Sequence, residues 1–175
     1  MIKVISDKAN CCGCSACYSA CPKQCISMVE DEEGFRYPIV DKSKCIDCGL
    51  CEKVCPVLNV SNPNKPASIF AFSNKSEDIR LKSSSGGAFS LLAELVLSQD
   101  GVVFGAAYDN NWEVAHTYIE RIEDLDMLRR SKYVQSRIGD TYKQARNFGF
   151  FLAQNFISEK SIFLLFSGMI NCVIL

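Results

Sequence analysis

The sequence carries no excess of charge of either sign. Its 19 Lys and Arg are matched by 20 Asp and Glu, for a net charge of −1, and no basic run breaks this balance. Nucleic-acid binding through bulk charge is thereby excluded. No apolar stretch reaches the roughly 18–20 residues that a membrane span requires. The longest, Ser161 to Leu175, is interrupted by Ser167, Gly168 and Asn171. Met1 to Asn10 holds no basic stretch followed by an apolar segment, so no secretory signal is visible. Cysteine is nearly missing from most of the chain: ten of the 11 lie in residues 1–55, and the other 120 residues hold only Cys172. Histidine occurs once, as His116, on a strand-like segment where a structural or surface role is expected.

What is present is a globular composition, 48% hydrophobic and 22% charged, too apolar for a disordered chain. A length of 175 residues suits one domain, or a small domain followed by a modest second one. A cysteine-rich chain without a secretory signal is expected in a reducing cytoplasm. There, clustered cysteines serve as metal or catalytic ligands more often than as disulfides.

The cysteines form an internal repeat. Cys11-x2-Cys14-x2-Cys17-x3-Cys21-Pro22 recurs 34 residues later as Cys45-x2-Cys48-x2-Cys51-x3-Cys55-Pro56. This is the bacterial ferredoxin spacing, present twice. Three thiolates at i, i+3 and i+6 on a tightly wound loop reach three irons of one cubane, and the fourth, before the proline, reaches the other cluster. One [4Fe-4S] cluster is therefore expected on Cys11, Cys14, Cys17 and Cys55, and a second on Cys45, Cys48, Cys51 and Cys21. The crossing staples two halves that bury little core. Gly13 and Gly49 let the backbone turn closely, with N–H groups facing sulfur. Two zinc sites would leave the third cysteine and the Cys-Pro of each copy unexplained. Cys12 and Cys25 fall outside the ligand spacing and are expected to be small buried hydrophobes. Cys25 to Val29 and Tyr37 to Val40 read as short strands, joined by an acidic turn, Glu30 to Gly34, whose tip is solvated.

Asn59 to Pro66, with two prolines and three asparagines, reads as a linker. The expected organisation is a two-cluster module over residues 1–58, a linker over 59–66 and a second domain over 67–175. In that domain Ile69 to Ser73 is a strand. Ser83-Ser84-Ser85-Gly86-Gly87 opens a largely buried helix to about Gln99, ended by Gly101, with Ser90, Glu94 and Ser98 as its polar stripe. Val102 to Ala107, Val114 to Ile119 and Ile162 to Phe166 are strands; Glu123 to Arg130 and Asp140 to about Phe156 are helices. The fold class is α+β: a ferredoxin-like two-cluster module followed by a partial α/β domain.

Lys82 to Phe89, Gly101 to Ala106 and Ser131-Lys132-Tyr133-Val134-Gln135-Ser136 together resemble the beta subunit family of coenzyme F-420 hydrogenases and dehydrogenases. The resemblance runs from about Ile69 to Gly168. Many members carry an N-terminal two-cluster module and belong to anaerobes. The resemblance implies a bound flavin, FAD or FMN, and electron transfer between flavin, iron–sulfur clusters and coenzyme F-420 or another acceptor. Ser84, Ser85, Gly86 and Gly87, at a helix start whose free N–H groups suit a phosphate, and Lys132 with Tyr133, are its candidate cofactor-binding residues; no catalytic residue is singled out. Family members continue from the last strand into Ser-Gly-Thr-Pro-Cys-Gln and beyond. Here Ser167-Gly168 is followed by Met169 to Leu175, so the domain is expected to be truncated, with residues beyond about Ser158 poorly ordered or covered by another chain.

The expected function is that of an iron–sulfur oxidoreductase subunit passing electrons between two [4Fe-4S] clusters and a flavin or deazaflavin acceptor. Its partner is a redox protein or the missing C-terminal part, not nucleic acid. The alternatives are a non-catalytic electron carrier whose second domain only docks a partner, and a remnant whose N-terminal module still folds. Residues 1–58 made alone are expected to fold only with iron and sulfide, because ligation supplies much of the stability of so small a module. A cooperative thermal transition of the iron-free peptide, followed by circular dichroism, would contradict this.

Overall fold

The computed structural model describes residues 8–59, 71–154 and 162–164. Helices and small sheets mix in an α+β fold, and the chain divides into two compact units, Met1–Ala67 and Ser68–Leu175. The expected linker lies outside the described residues from residue 60 onward.

In the first unit, β1 (Ile26–Glu30) and β2 (Arg36–Val40) form an antiparallel hairpin in the register Ile26↔Val40, Met28↔Pro38, Glu30↔Arg36. Its turn is pinned by one side chain. The Asp31 carboxylate accepts the N–H of Glu33 at 3.1 Å and of Phe35 at 3.0 Å, and Lys8 lies 3.3 Å away. Burial opposes the charge, but the Phe35 N–H, Lys8 and the Glu33 N–H outweigh it and hold the carboxyl below its ordinary range. The turn is solvated as expected: Glu30, Glu32, Glu33 and Gly34 are exposed, and only Asp31 is partly covered. Two short helices, α1 (Ala16–Ala20) and α2 (Leu50–Lys53), follow the cysteine loops. The buried apolar side chains among the described residues of this unit are only Cys25, Ile26 and Pro38.

The second unit opens differently from expectation. Ala71 to Ser73 is irregular rather than strand, and Ile69 and Phe70 lie outside the described residues. Just after this stretch the Asn74 N–H donates to the Gly86 carbonyl, twelve residues on, at 2.7 Å. A helix absent from the sequence reading, α3 (Glu77–Lys82), follows, its start capped by Ser76, which accepts the Ile79 N–H at 3.4 Å. Then comes α4 (Ala88–Leu97). It ends two residues before Gln99 in a Schellman-type closure, with Asp100 in the left-handed position at φ 55° and the Gly101 N–H reaching the Val96 carbonyl at 2.9 Å.

The polar stripe expected on α4 is a correction. Ser90 is fully buried while Leu91 and Leu95 are exposed. Ser90 Oγ lies 2.5 Å from Ser83 Oγ and accepts from Arg129 Nε at 3.1 Å, and Arg129 also pairs with Glu94 at 3.0 Å. A hydroxyl with two partners is stable inside, so the helix turns Ser90 inward to meet Arg129.

The sheet has the order β4-β3-β5, with β3 (Val102–Tyr108) between antiparallel β4 (Val114–Ile119) and parallel β5 (Ile162–Leu164). A continuous apolar run suits a strand covered on both faces. One face packs Val103 and Ala107 against Ala93, Val96 and Leu97 of α4 and Leu125 and Leu128 of the short helix α5 (Leu125–Leu128). On the other, Phe104 meets Tyr118 at 5.6 Å and Phe148 of α6 (Thr141–Gln154) at 6.0 Å between ring centroids. The helix expected over Glu123 to Arg130 is a 3-10 turn, Ile122–Asp124, leading into α5. The rest of the expected last strand, together with the segment from Met169 to Leu175 and Cys172, lies outside the described residues.

Two expectations follow. An added Cβ at Gly86 would sit 2.0 Å from the Phe72 carbonyl oxygen, and backbone yields little. Gly86→Ala is expected to destabilise the second unit by about 1–3 kcal/mol in urea unfolding. His116 is held inside, its Nδ1 2.5 Å from Ser136 Oγ, and burial lowers its pKa from 6.5 to about 4. Between those values the unfolded chain binds the proton and the folded chain does not, so stability is complete above about pH 6.5. It falls, by up to about 3 kcal/mol, as pH drops toward 4. His116→Gln should remove that slope from a pH series of unfolding curves.

Candidate metal centre

The two cysteine loops share one backbone pattern. Positions two and four after the first cysteine are left-handed in both copies: Gly13 at φ 63° and Ser15 at 60°, Asp47 at 54° and Gly49 at 71°. Each copy places one glycine in this pair and forces an ordinary residue into the other. Such turns point successive N–H groups into a concavity, a geometry suited to anionic sulfur. Each loop then runs straight into its short helix, which carries the third cysteine.

Two concavities result, each with about 410 Å³ of empty space partly open to solvent. Cys11, Cys14, Cys17 and Cys55 line the one that we call cavity one. Cavity two is lined by Cys21, Cys45, Cys48 and Cys51. Each therefore gathers three cysteines from one copy and the fourth from the other. Cys51 reaches the wall of both. The hairpin floors them: the facing pair Met28 and Pro38 lines cavity one, and Ile26 and Val40, two residues along the same strands, line cavity two. Period-two alternation puts both pairs on one face.

The donor set fits an iron–sulfur cluster. Burial pushes the Cys14 thiol up to about 12 and Cys17 up to about 11, and raises Cys11 and Cys51 as well. Thiols crowded in this way stay protonated unless a cation joins them, and a coordinated cation deprotonates them outright. Cys21 differs. Burial opposes its thiolate, yet hydrogen bonds from the Cys25 N–H and thiol and from the Lys23 and Gln24 N–H groups hold it below the ordinary thiol value.

Two cysteines outside the spacing also stand here. Cys25 is buried, 6% exposed, as expected, but it also lines cavity two, with its Sγ 3.3 Å from Cys21 Sγ. That contact escaped the sequence reading; the only signal was the i, i+4 spacing across Pro22. Cys12 is exposed rather than buried, at the edge of cavity one. It follows a ligand-spaced cysteine in a loop wound outward, where no core lies behind it.

The flavin-site candidates lie in the second unit. Ser85 and Gly87 are left-handed, at φ 55° and 78°, and Gly87 starts α4 without a side-chain cap. Ser84 Oγ accepts the Ser131 N–H at 3.2 Å, which joins two of the separated sequence motifs. The third, β3, packs its Gly105 under Leu128, immediately before that loop. Lys132 is 3% exposed, and its ammonium donates to the carbonyls of Met127 at 3.1 Å and Arg129 at 2.7 Å. It closes the end of α5, and burial lowers its pKa. Tyr133 is 79% exposed.

Residues 10–59 match the family model of the 4Fe-4S dicluster domain. The chain is an iron–sulfur electron-transfer protein. Residues 40–84, which contain the second cysteine repeat, also match the 4Fe-4S single cluster domain of ferredoxin I. No curated protein matches the chain. Among the described residues no helix is long and apolar enough to cross a membrane.

Proposed function

We propose that this ferredoxin-type module holds two [4Fe-4S] clusters with crossed ligation, one on Cys11, Cys14, Cys17 and Cys55 and the other on Cys21, Cys45, Cys48 and Cys51. The observation that carries the assignment is the composition of the two cavities, each completed by the last cysteine of the opposite copy. A bound cubane takes up and releases one electron at a time. The chain's own part is to supply sulfur, to aim N–H groups at it, and to keep water from the hairpin side with Ile26, Met28, Pro38 and Val40. With four protein ligands on each cluster, neither has an open position for substrate, so the module carries electrons rather than performing chemistry on a bound molecule.

The finer reading is that of an oxidoreductase subunit of the coenzyme F-420 hydrogenase and dehydrogenase beta type, passing electrons between the clusters and a flavin, FAD or FMN, or a deazaflavin such as coenzyme F-420. Its support is the junction of the Ser84 and Ser131 motifs at the start of α4, where N–H groups suit a phosphate. One observation favours a second reading, a non-catalytic carrier whose second unit docks a redox partner: the Lys132 ammonium is engaged by backbone carbonyls instead of standing ready for an anionic cofactor.

Quantitation on anaerobically prepared full-length protein separates these readings. Two cubanes give about eight irons per chain and broad absorption near 400 nm. The subunit reading adds stoichiometric flavin, and its absence favours the carrier. Cys21→Ser is expected to damage the cluster of Cys45, Cys48 and Cys51, although Cys21 belongs to the other repeat. Spectroscopic loss of the Cys11, Cys14 and Cys17 cluster in that variant would overturn the crossed assignment.

A further inference from the structure

The two-cluster reading leaves two of the described thiols unused: Cys12, exposed at the edge of cavity one beside Cys14, and Cys25. The latter is buried, lines cavity two, and stands 3.3 Å from Cys21 Sγ. Either sulfur is free to donate in the bare protein, but a cluster-bound Cys21 is a thiolate and has no proton to give. The direction of the hydrogen bond is then fixed: Cys25 Sγ–H donates, and the acceptor is a ligand sulfur of cavity two, Cys21 or the neighbouring Cys45.

At this position of the repeat the donor is one-sided. The residue four past the last repeat cysteine is Cys25 in the first copy and Asn59 in the second. Asn59 turns its amide away from sulfur and donates to the carbonyls of Glu52 at 2.7 Å, Lys53 at 3.1 Å and Cys55 at 3.0 Å. It secures the end of α2 instead. The backbone favours the Cys21 thiolate as well, through the N–H groups of Cys25, Lys23 and Gln24; Gln24, left-handed at φ 48°, also donates its N–H to the Cys21 carbonyl at 3.2 Å.

We infer that Cys25 is a potential-setting residue: its thiol hydrogen bond to a ligand sulfur of cavity two raises the potential of the second cluster. The inference rests on the two-cluster assignment above. On reduction one electron enters the cluster and its ligand sulfurs become more negative; no bond breaks, and the proton stays on Cys25. A donor to that sulfur therefore stabilises the reduced state more than the oxidised one.

The test uses full-length anaerobic protein, a potentiometric titration with dithionite and redox mediators followed by electron paramagnetic resonance, and iron counts on every sample. Wild-type protein with fewer than about eight irons would sink the two-cluster reading itself, separately from this inference. With eight irons present, Cys25→Ala is expected to keep them. It should lower one midpoint potential and leave the other in place. Loss of a hydrogen bond to a charged group shifts the reduced-to-oxidised ratio by about tenfold at a fixed poise, which is about 59 mV for one electron. Cys25→Ser keeps a donor and should restore most of the shift, an outcome that a purely structural role would not give. Cys25→Val fills the space without a donor and should behave as Cys25→Ala does. Unchanged potentials in the alanine and valine variants would overturn the inference. So would loss of about four irons in either, which would make Cys25 a ligand.

Discussion

A unit of about fifty described residues that buries only Cys25, Ile26 and Pro38 among its apolar side chains cannot offset its conformational entropy by apolar burial. Sulfur has to supply what the core lacks. The two cavities take their cysteines from both copies of the repeat, so filling either one ties the beginning of the unit to its end. The hairpin, the left-handed loop turns and the two short helices gain their purpose from that constraint. None of them is long enough to stand alone, and together they hold ten cysteines around two volumes.

The second unit is organised on a different principle. Its central strand β3 is covered on both faces, by α4 and α5 on one side and by the rings of Tyr118 and Phe148 on the other. Burial there supplies the driving force, and a few polar contacts fix the arrangement. Arg129 is the most connected of these, reaching Ser90 and Glu94 on α4 from the end of α5. Lys132 works in the same place by satisfying the last carbonyls of α5. Residues that resemble a cofactor site in sequence are thus also the residues that close the joint between these helices.

Much of the first unit was legible because ligand spacing is itself a geometric statement. Three cysteines at intervals of three, followed by Cys-Pro, leave few ways to place sulfur. The hairpin was legible from two short strand-like stretches joined by an acidic turn. Cys12 was misread because a small apolar residue was expected to be covered, and no core lies behind its loop. On α4, the three-residue spacing of Ser90, Glu94 and Ser98 marked a stripe but not which way it faced. The partner that draws Ser90 inward, Arg129, is 39 residues away in sequence, beyond any local pattern. The irregular path of Ala71 to Ser73 was hidden for a similar reason, since it runs closely past Gly86, more than ten residues on.

The sequence by itself determined the chemistry of the first unit: its cysteine spacing, its internal repeat and the turn-forming glycines are local properties that no later packing alters. It also determined that β3 lies inside, because a run of six apolar or small residues has no polar face to show. Only the tertiary structure decided which cysteines share a cavity with which hairpin residues, that Cys25 touches Cys21, and that the Ser84 and Ser131 motifs meet. Those are contacts between segments brought together by the closing of a chain. Their distances follow from how whole elements pack, a quantity that the order of residues constrains but does not spell out.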